Sequence, residues 1–199
     1  MDEQLVYIFA DESCLGNQFA ETARPGAAAG LIERFDERRG WHRRDFARFE
    51  ADTTNNRMAI VSGIEGLRAL KRPCSVVFTS DSQYLVRGMK DWVHGWAARG
   101  WRRKAGPIEN LDLWKRLCRQ ASAHTVEWRW VRGHAGHPKN EYANDLAVRV
   151  ATERRGFNSE AESGFDSWLE EQQGRNRYLD FLDVPDTDPF QPDRQPPAT

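Results

Sequence analysis

Two aspartates stand where apolar runs end: Asp11 near the close of "LVYIFADES" and Asp81 at the close of "CSVVFTSD". The C-terminal ends of strands form the edge of an open α/β sheet where ligands collect, and convergent carboxylates there would most naturally hold Mg²⁺. Taken singly, either aspartate has an ordinary use as a strand cap or turn residue. His134 lies in the glycine-flanked run "RGHAGHP", a setting that suits proton transfer beside a metal as well as plain loop structure. His137 reads as part of the loop itself.

The elements that must position these groups follow from periodicity. "LVYIFADES", "AAAGLIERFD" and "WHRRDFARFEAD" read as three sequential strands, hence an antiparallel meander. From Asn56 the period changes, with Ile60, Val61, Ile64 and Leu67 at helical spacing until Pro73 closes the segment. "CSVVFTSD" follows as a strand reached by a crossover into the same sheet. "SQYLVRGMKDWVHGWAARGW" predicts one or two helices and "NLDLWKRLCRQASA" another. "TVEWRWVRGH" predicts a strand running into the glycine and histidine loop. "EYANDLAVRVATER" predicts a last helix with Ala143, Leu146, Ala147 and Val150 on its apolar face. The order βββαβααβα defines an α/β domain over residues 1–155.

The 199 residues, 39% hydrophobic and 11% aromatic, suffice for a packed core and exclude a disordered chain. No apolar run approaches the roughly 20 residues of a membrane span, and the start does not resemble a signal peptide, so a cytoplasmic protein without membrane contact is expected. Cys14, Cys74 and Cys118 lack disulfide or zinc spacing and are expected reduced. Charge divides the chain: residues 1–155 hold 26 Lys and Arg against 20 Asp and Glu, whereas residues 156–199 hold 3 against 10. Within that acidic extension, "DSWLEEQQ" and "RYLDFLD" suggest short helices docking through Trp168, Leu169, Tyr178, Leu179 and Phe181. "VPDTDPFQPDRQPPAT" has the composition of disorder. The extension either solubilises the chain or folds back and lays its carboxylates against the basic face as an inhibitor.

Several stretches occur in a fixed order: "DESCLGN", "TTNNRM", "TSDSQYLV", W-x3-W-x4-W over residues 92–101, "ENLDLW" and "VRGHAGHPKNE". In order and spacing the chain strongly resembles the bacterial type 1 ribonucleases H over residues 3–153. The resemblance implies an RNase H-like fold: a five-stranded mixed sheet, three antiparallel strands then parallel crossovers, flanked by helices and carrying a basic helical protrusion. It implies endonucleolytic hydrolysis of the RNA strand of RNA–DNA hybrids, with Mg²⁺ or Mn²⁺ as cofactor. Family members hold two ions about 4 Å apart with four carboxylates. By position the first carboxylate falls on Asp11 and the third on Asp81, but the second falls on Ala59 and the fourth on Asn144. The implied metal set is Asp11, Asp81 and Asn144, an amide oxygen being an acceptable hard ligand, with His134 assisting catalysis.

Neighbours offer limited compensation on paper. Glu65 lies six residues past Ala59, about 9 Å further along a helix and rotated by about 240°. Asp145 is turned about 100° from Asn144. Glu12 follows Asp11 on a strand, so alternation directs its side chain to the opposite face. With half the carboxylates absent, metal binding is expected to lean on the substrate's phosphates.

Residues 87–104 carry Arg87, Lys90, Arg99, Arg102, Arg103 and Lys104 against Asp91, interleaved with Trp92, Trp96 and Trp101. This is either a solvated helix face or, by resemblance, the protrusion that grips the DNA strand. The resemblance places Asn17, Asn55, Asn56 and Gln83 at the minor groove, where uncharged groups test for the 2′-hydroxyl. It places Thr53 and Thr54 at a DNA phosphate, positions that also suit helix caps. The loop "QFAETARPGAAAG" replaces a shorter glycine-rich turn of the family. Two function classes follow: a slow, metal-dependent, monomeric endoribonuclease of hybrids, or a hybrid-binding protein without catalysis. A role in protein interaction through the acidic extension has less in its favour.

Overall fold

Apolar residues on both sides of the first strand bury it between two helical layers. The structure, a computed structural model, describes residues 5–16, 24–103, 105–133 and 136–197. Strands β1 (Leu5–Cys14), β2 (Gly26–Asp36) and β3 (Gly40–Glu50) form the expected antiparallel meander, and β4 (Ser75–Ser80) and β5 (Thr125–Trp130) join parallel to β1 and to each other. The sheet order is β5-β4-β1-β2-β3-β6, where β6 (Ala161–Glu162) is a sixth strand of two residues contributed by the extension. The sequence reading of five strands stops one short because so brief a pairing leaves no periodicity.

Helix α1 (Asn55–Arg68) and helix α4 (Leu111–Ala121) cover one face, where Val6, Ile8, Val76, Phe78, Ile64 and Trp114 share a buried cluster. Helix α5 (Pro138–Glu153) covers the other, packing Leu146 and Val150 against Phe9, Leu31 and Val77. Each such fully buried side chain contributes roughly 1.5–3 kcal/mol relative to exposure.

The extension packs against the sheet. Helix α6 (Phe165–Gly174) inserts Phe165, which is fully buried, into the α5-side cluster. Beyond it the chain is irregular but tied down: Trp41 Nε1 donates to the Asp183 carbonyl at 3.0 Å, and Asp193 bonds both the Val126 carbonyl and the Trp128 N–H. Asp183 also pairs with Arg43 and Lys139, Asp186 with Arg129, and Asp193 with Lys90. Residue 193 thus caps the outer edge of β5 while β6 covers that of β3, and unpaired strand edges are the usual route to unwanted association.

Between β4 and α4 the chain forms helix α2 (Gln83–Arg87), one π-turn (Gly88–Trp92) and helix α3 (Val93–Ala98). The wide turn falls where the fully buried Trp114 presses on the backbone: a Cβ at Gly88 would lie 2.0 Å from its ring. Gly88→Ala is therefore expected to cost about 1–3 kcal/mol in urea unfolding by overpacking. Gly174→Ala, with nothing within 4 Å of the added methyl, should leave the midpoint unchanged or raise it.

Candidate metal centre and nucleic-acid face

Parallel pairing between β1 and β4 ends at Ala10 opposite Ser80, so the next residues on both strands, Asp11 and Asp81, emerge together at the sheet's C-terminal edge. Glu12 joins them: ligand oxygens of Asp11, Glu12 and Asp81 all lie within 4.8 Å of one another, the one group of metal-ligating type among the described residues. This corrects the expectation that Glu12 turns away. Alternation puts the Glu12 Cβ on the side of Ala10, which packs with Ala59 under α1, but the pairing with β4 ends at Ala10 and the long glutamate side chain still brings an oxygen to the group.

The surroundings fix this geometry. Trp130 Nε1 donates to the Asp81 carbonyl at 2.9 Å and Val131 N to the Ser80 carbonyl at 3.1 Å, tying the end of β4 to β5. Glu12 N donates to Asp11 Oδ1 at 2.7 Å. Gly133 lets the backbone itself approach the carboxylate, because a Cβ there would sit 2.3 Å from Asp81 Oδ2.

Electrostatically the cluster is poised for a cation. Burial, and then the Asp81 charge, push the Asp11 carboxyl up to about 8. Burial, followed by the charges of Asp11 and Asp81, holds Glu12 well above the usual carboxylate range. Glu12 Oε2 is moreover buried without a hydrogen-bond partner. Three crowded hard oxygen donors, one of them orphaned, fit a divalent cation, which supplies the missing positive charge and the missing partner.

The other candidates sort clearly. Glu65 is paired with Arg68 on α1 and takes no part in the cluster. Asp145 accepts from Trp168 Nε1 at 2.9 Å and is held by the extension. Asn144 lies half-buried on α5, three residues after Glu141, and residues three apart share a helix face. Ala59 is fully buried in the core cluster with Ala10 and Met58. His134, Asn17 and Lys104 lie outside the described residues.

Around the centre, two helix starts border the same sheet edge. Thr54 caps α1, its hydroxyl accepting from Arg57 N at 3.2 Å, and leaves Asn55 and Asn56 exposed on the first turn. Thr53 is buried beside Gly26 and Cys14, so of the two threonines Thr54 is the one that meets solvent. Gln83, exposed, opens α2 behind the Ser82 cap.

In the protrusion Trp92 packs against Tyr84, Trp96 and Trp114, and Trp101 packs on the same cluster under Lys115. Gly100 and Trp101 both adopt positive φ, at 64° and 60°. That strained turn carries exposed Arg99, Arg102 and Arg103 outward. The tryptophans build the protrusion and the arginines face solvent. Among the described residues no helix is long and apolar enough to cross a membrane.

The RNase H family profile matches residues 3–152. Ribonuclease HI of Neisseria meningitidis serogroup A is 45% identical over 152 residues, spanning 75% of this chain and 97% of that protein. The crystal structure of LC9-RNase H1, described as a type 1 RNase H with the type 2 active-site motif, superposes with a TM-score of 0.90 at 44% identity, covering 100% of this chain and 96% of that one. The RNase H domain of PFV, 17% identical with a TM-score of 0.63 over 76% of this chain and 95% of that one, shares the fold alone.

The raised carboxyls give the metal-free protein a defined pH response. A group whose folded pKa lies above its ordinary value stabilises fully below that ordinary value and loses the contribution as pH climbs through the folded one, here for Asp11 from about 4 to about 8. In EDTA the melting temperature should fall by roughly 5–10 °C between pH 5 and pH 8, equivalent to about 2–3 kcal/mol for a chain of this size. Saturating Mg²⁺ should remove most of that fall, and Asp11→Asn should narrow the gap between the two curves. Melts showing no metal-dependent difference at pH 8 would contradict this account.

Proposed function

This chain belongs to the RNase H family and hydrolyses the RNA strand of RNA–DNA hybrids; we propose that it does so through Asp11, Glu12 and Asp81 holding Mg²⁺, or Mn²⁺ in its place, with Asn144 completing the set. The observation that carries this reading is the gathering of three carboxylates at the β1 and β4 ends. The rival reading, a binder without catalysis, rests on a halved carboxylate set, and Glu12 as a third donor favours catalysis over it.

When bound, the divalent cations supply Lewis-acid activation of water and of the scissile phosphate. The chain's own residues do the rest. Asp11 and Asp81 anchor the centre from two strands locked in register, so their separation is fixed before substrate arrives. Glu12 brings a third oxygen donor from the opposite side of the sheet. Asn144 offers a neutral amide oxygen, and His134 is assigned proton transfer from its loop.

Substrate is gripped on either side. Asn17, Asn55, Asn56 and Gln83 are assigned to the minor groove of the A-like duplex, where they test for the 2′-hydroxyl without reading sequence. Thr54, beside the buried Thr53, is assigned to a DNA phosphate. Arg99, Arg102, Arg103 and Lys104 meet the DNA strand further along, with Trp92 and Trp101 as their support. The protein is read as a cytoplasmic monomer.

The direct test is cleavage of a labelled hybrid in Mg²⁺ and in Mn²⁺. The natural chain should cut, and Asp81→Asn and Glu12→Gln should each lose roughly two orders of magnitude in rate, the scale of removing one transition-state-stabilising group. Glu65→Gln should stay within about twofold. Binding without cleavage in either metal would overturn the catalytic reading. Separately, Arg102→Ala with Arg103→Ala should reduce the slope of log affinity against log salt by about one to two units, irrespective of hybrid sequence; an unchanged slope would remove these arginines from the phosphate contacts.

A further inference from the structure

An amide ligand has a problem that a carboxylate does not: one end binds a cation and the other repels it. At residue 144 the carboxylate expected by family resemblance is an asparagine, so the orientation of that side chain decides whether the position helps or hinders. Asn144 Nδ2 donates to Asp145 Oδ1 at 3.4 Å. A carboxylate accepts hydrogen bonds and does not donate them, so Asp145 selects the NH₂ end and leaves the carbonyl oxygen of Asn144 for the site.

Asp145 is itself held. Its other oxygen, Oδ2, accepts from Trp168 Nε1 at 2.9 Å. Trp168 belongs to α6, outside the residues that match the family profile. Its ring is enclosed by Tyr142 at 5.6 Å, Phe165 at 6.1 Å and Tyr178 at 5.7 Å between centroids. Tyr142 is in turn fixed on α5 by the bond from its hydroxyl to Asp45. The indole N–H is therefore a rigid donor, placed against the helix that carries Asn144.

We propose that the extension acts on the metal centre through this relay, Trp168 fixing Asp145 and Asp145 fixing the Asn144 amide with its oxygen toward the metal. Trp168 and Asp145 are positioning residues, and the proposal rests on the reading of Asn144 as a ligand. The relay gives the extension a role in the known reaction distinct from solubility or inhibition. Asp145, which is not in the carboxylate group at the strand ends, instead accepts from Asn144 Nδ2 and Trp168 Nε1.

The test is Mn²⁺ affinity of the full chain without substrate, by calorimetry and by metal-dependent shift of the melting temperature, in a double-mutant cycle. Trp168→Phe keeps the ring and loses the N–H; Asp145→Ala removes the acceptor from an exposed position and guards against a folding defect in the first variant. Each should weaken Mn²⁺ binding by roughly tenfold, the usual scale for a group that orients a ligand. In an Asn144→Asp background Trp168→Phe should have no effect, because a carboxylate has no wrong end.

Equal loss in both backgrounds, or unchanged affinity with only a lower melting temperature in EDTA, would mean that Trp168 is merely structural and would overturn the relay. Asn144→Ala separates the two readings: if it leaves Mn²⁺ affinity unchanged, the ligand assignment fails; if it weakens binding while Trp168→Phe does not, the relay alone fails.

Discussion

Three carboxylates confined within 4.8 Å at the end of two parallel strands set the terms for the rest of the molecule. Left to themselves Asp11, Glu12 and Asp81 are crowded and poorly hydrated: burial, and then their mutual charge, raises the Asp11 and Glu12 carboxyls. Only a scaffold stabilised elsewhere can hold them together. That scaffold is the sheet packed on both faces, its apolar clusters offsetting a local penalty through burial far from the charge. The register of β1 with β4, the Trp130 tie to the Asp81 carbonyl and the bare backbone at Gly133 all serve the same end.

A second concentration of charge lies on the α5 side and joins elements distant in sequence. Arg43 of β3 and Lys139 of α5, both nearly buried, share Glu33 of β2 and Asp183 of the extension. Buried charges are costly unless each is paired, and removing one partner from such a group strands the others. The extension is thereby bound to two elements of the domain, β3 and α5, and through them to Glu33 of β2, and Arg43 stacks over Phe165 as well as pairing with Asp166. Its acidic composition reads as solubilising in isolation. In place, Asp183, Asp186 and Asp193 each meet a particular cation of the domain.

Most of the domain was legible because its information is local. Alternation marks β1 to β3, helical spacing marks α1 and α5, and the carboxylates at the ends of β1 and β4 follow from where those runs stop. What escaped depends on three-dimensional endings. Whether Glu12 reaches the centre is not legible in the sequence, because alternation fixes the direction of Cβ, not the reach of a long side chain beyond the last paired residue. An adjacent Asp-Glu pair at the end of a strand whose neighbour stops short was the available signal. The two-residue β6 and the contacts of residues 183–195 carry no period, since irregular chain is held by single hydrogen bonds and ion pairs to partners far away in sequence. The positive φ at Trp101 is likewise invisible in composition, being imposed by the turn that closes the protrusion.

The absences at residues 59 and 144 and the presence of Glu12 are best understood as one adjustment. Ala59 is fully buried among Ala10, Ala28 and Met58, so the position serves packing, and under the proposed assignment the oxygen comes instead from Glu12 on β1. Adding a glutamate at residue 59 without removing Glu12 would press another anion on a site where Asp11 already resists ionisation. With Asn144 as the proposed fourth ligand the charge is lower again, since an amide oxygen would coordinate without contributing to the repulsion. The metal-free state is accordingly less strained than one with a full set of carboxylates in addition to Glu12. The cost is that less of the cations' charge is neutralised by protein, so more remains for the phosphates of the hybrid. Affinity for metal and affinity for substrate then become coupled, each bound charge improving the site for the other.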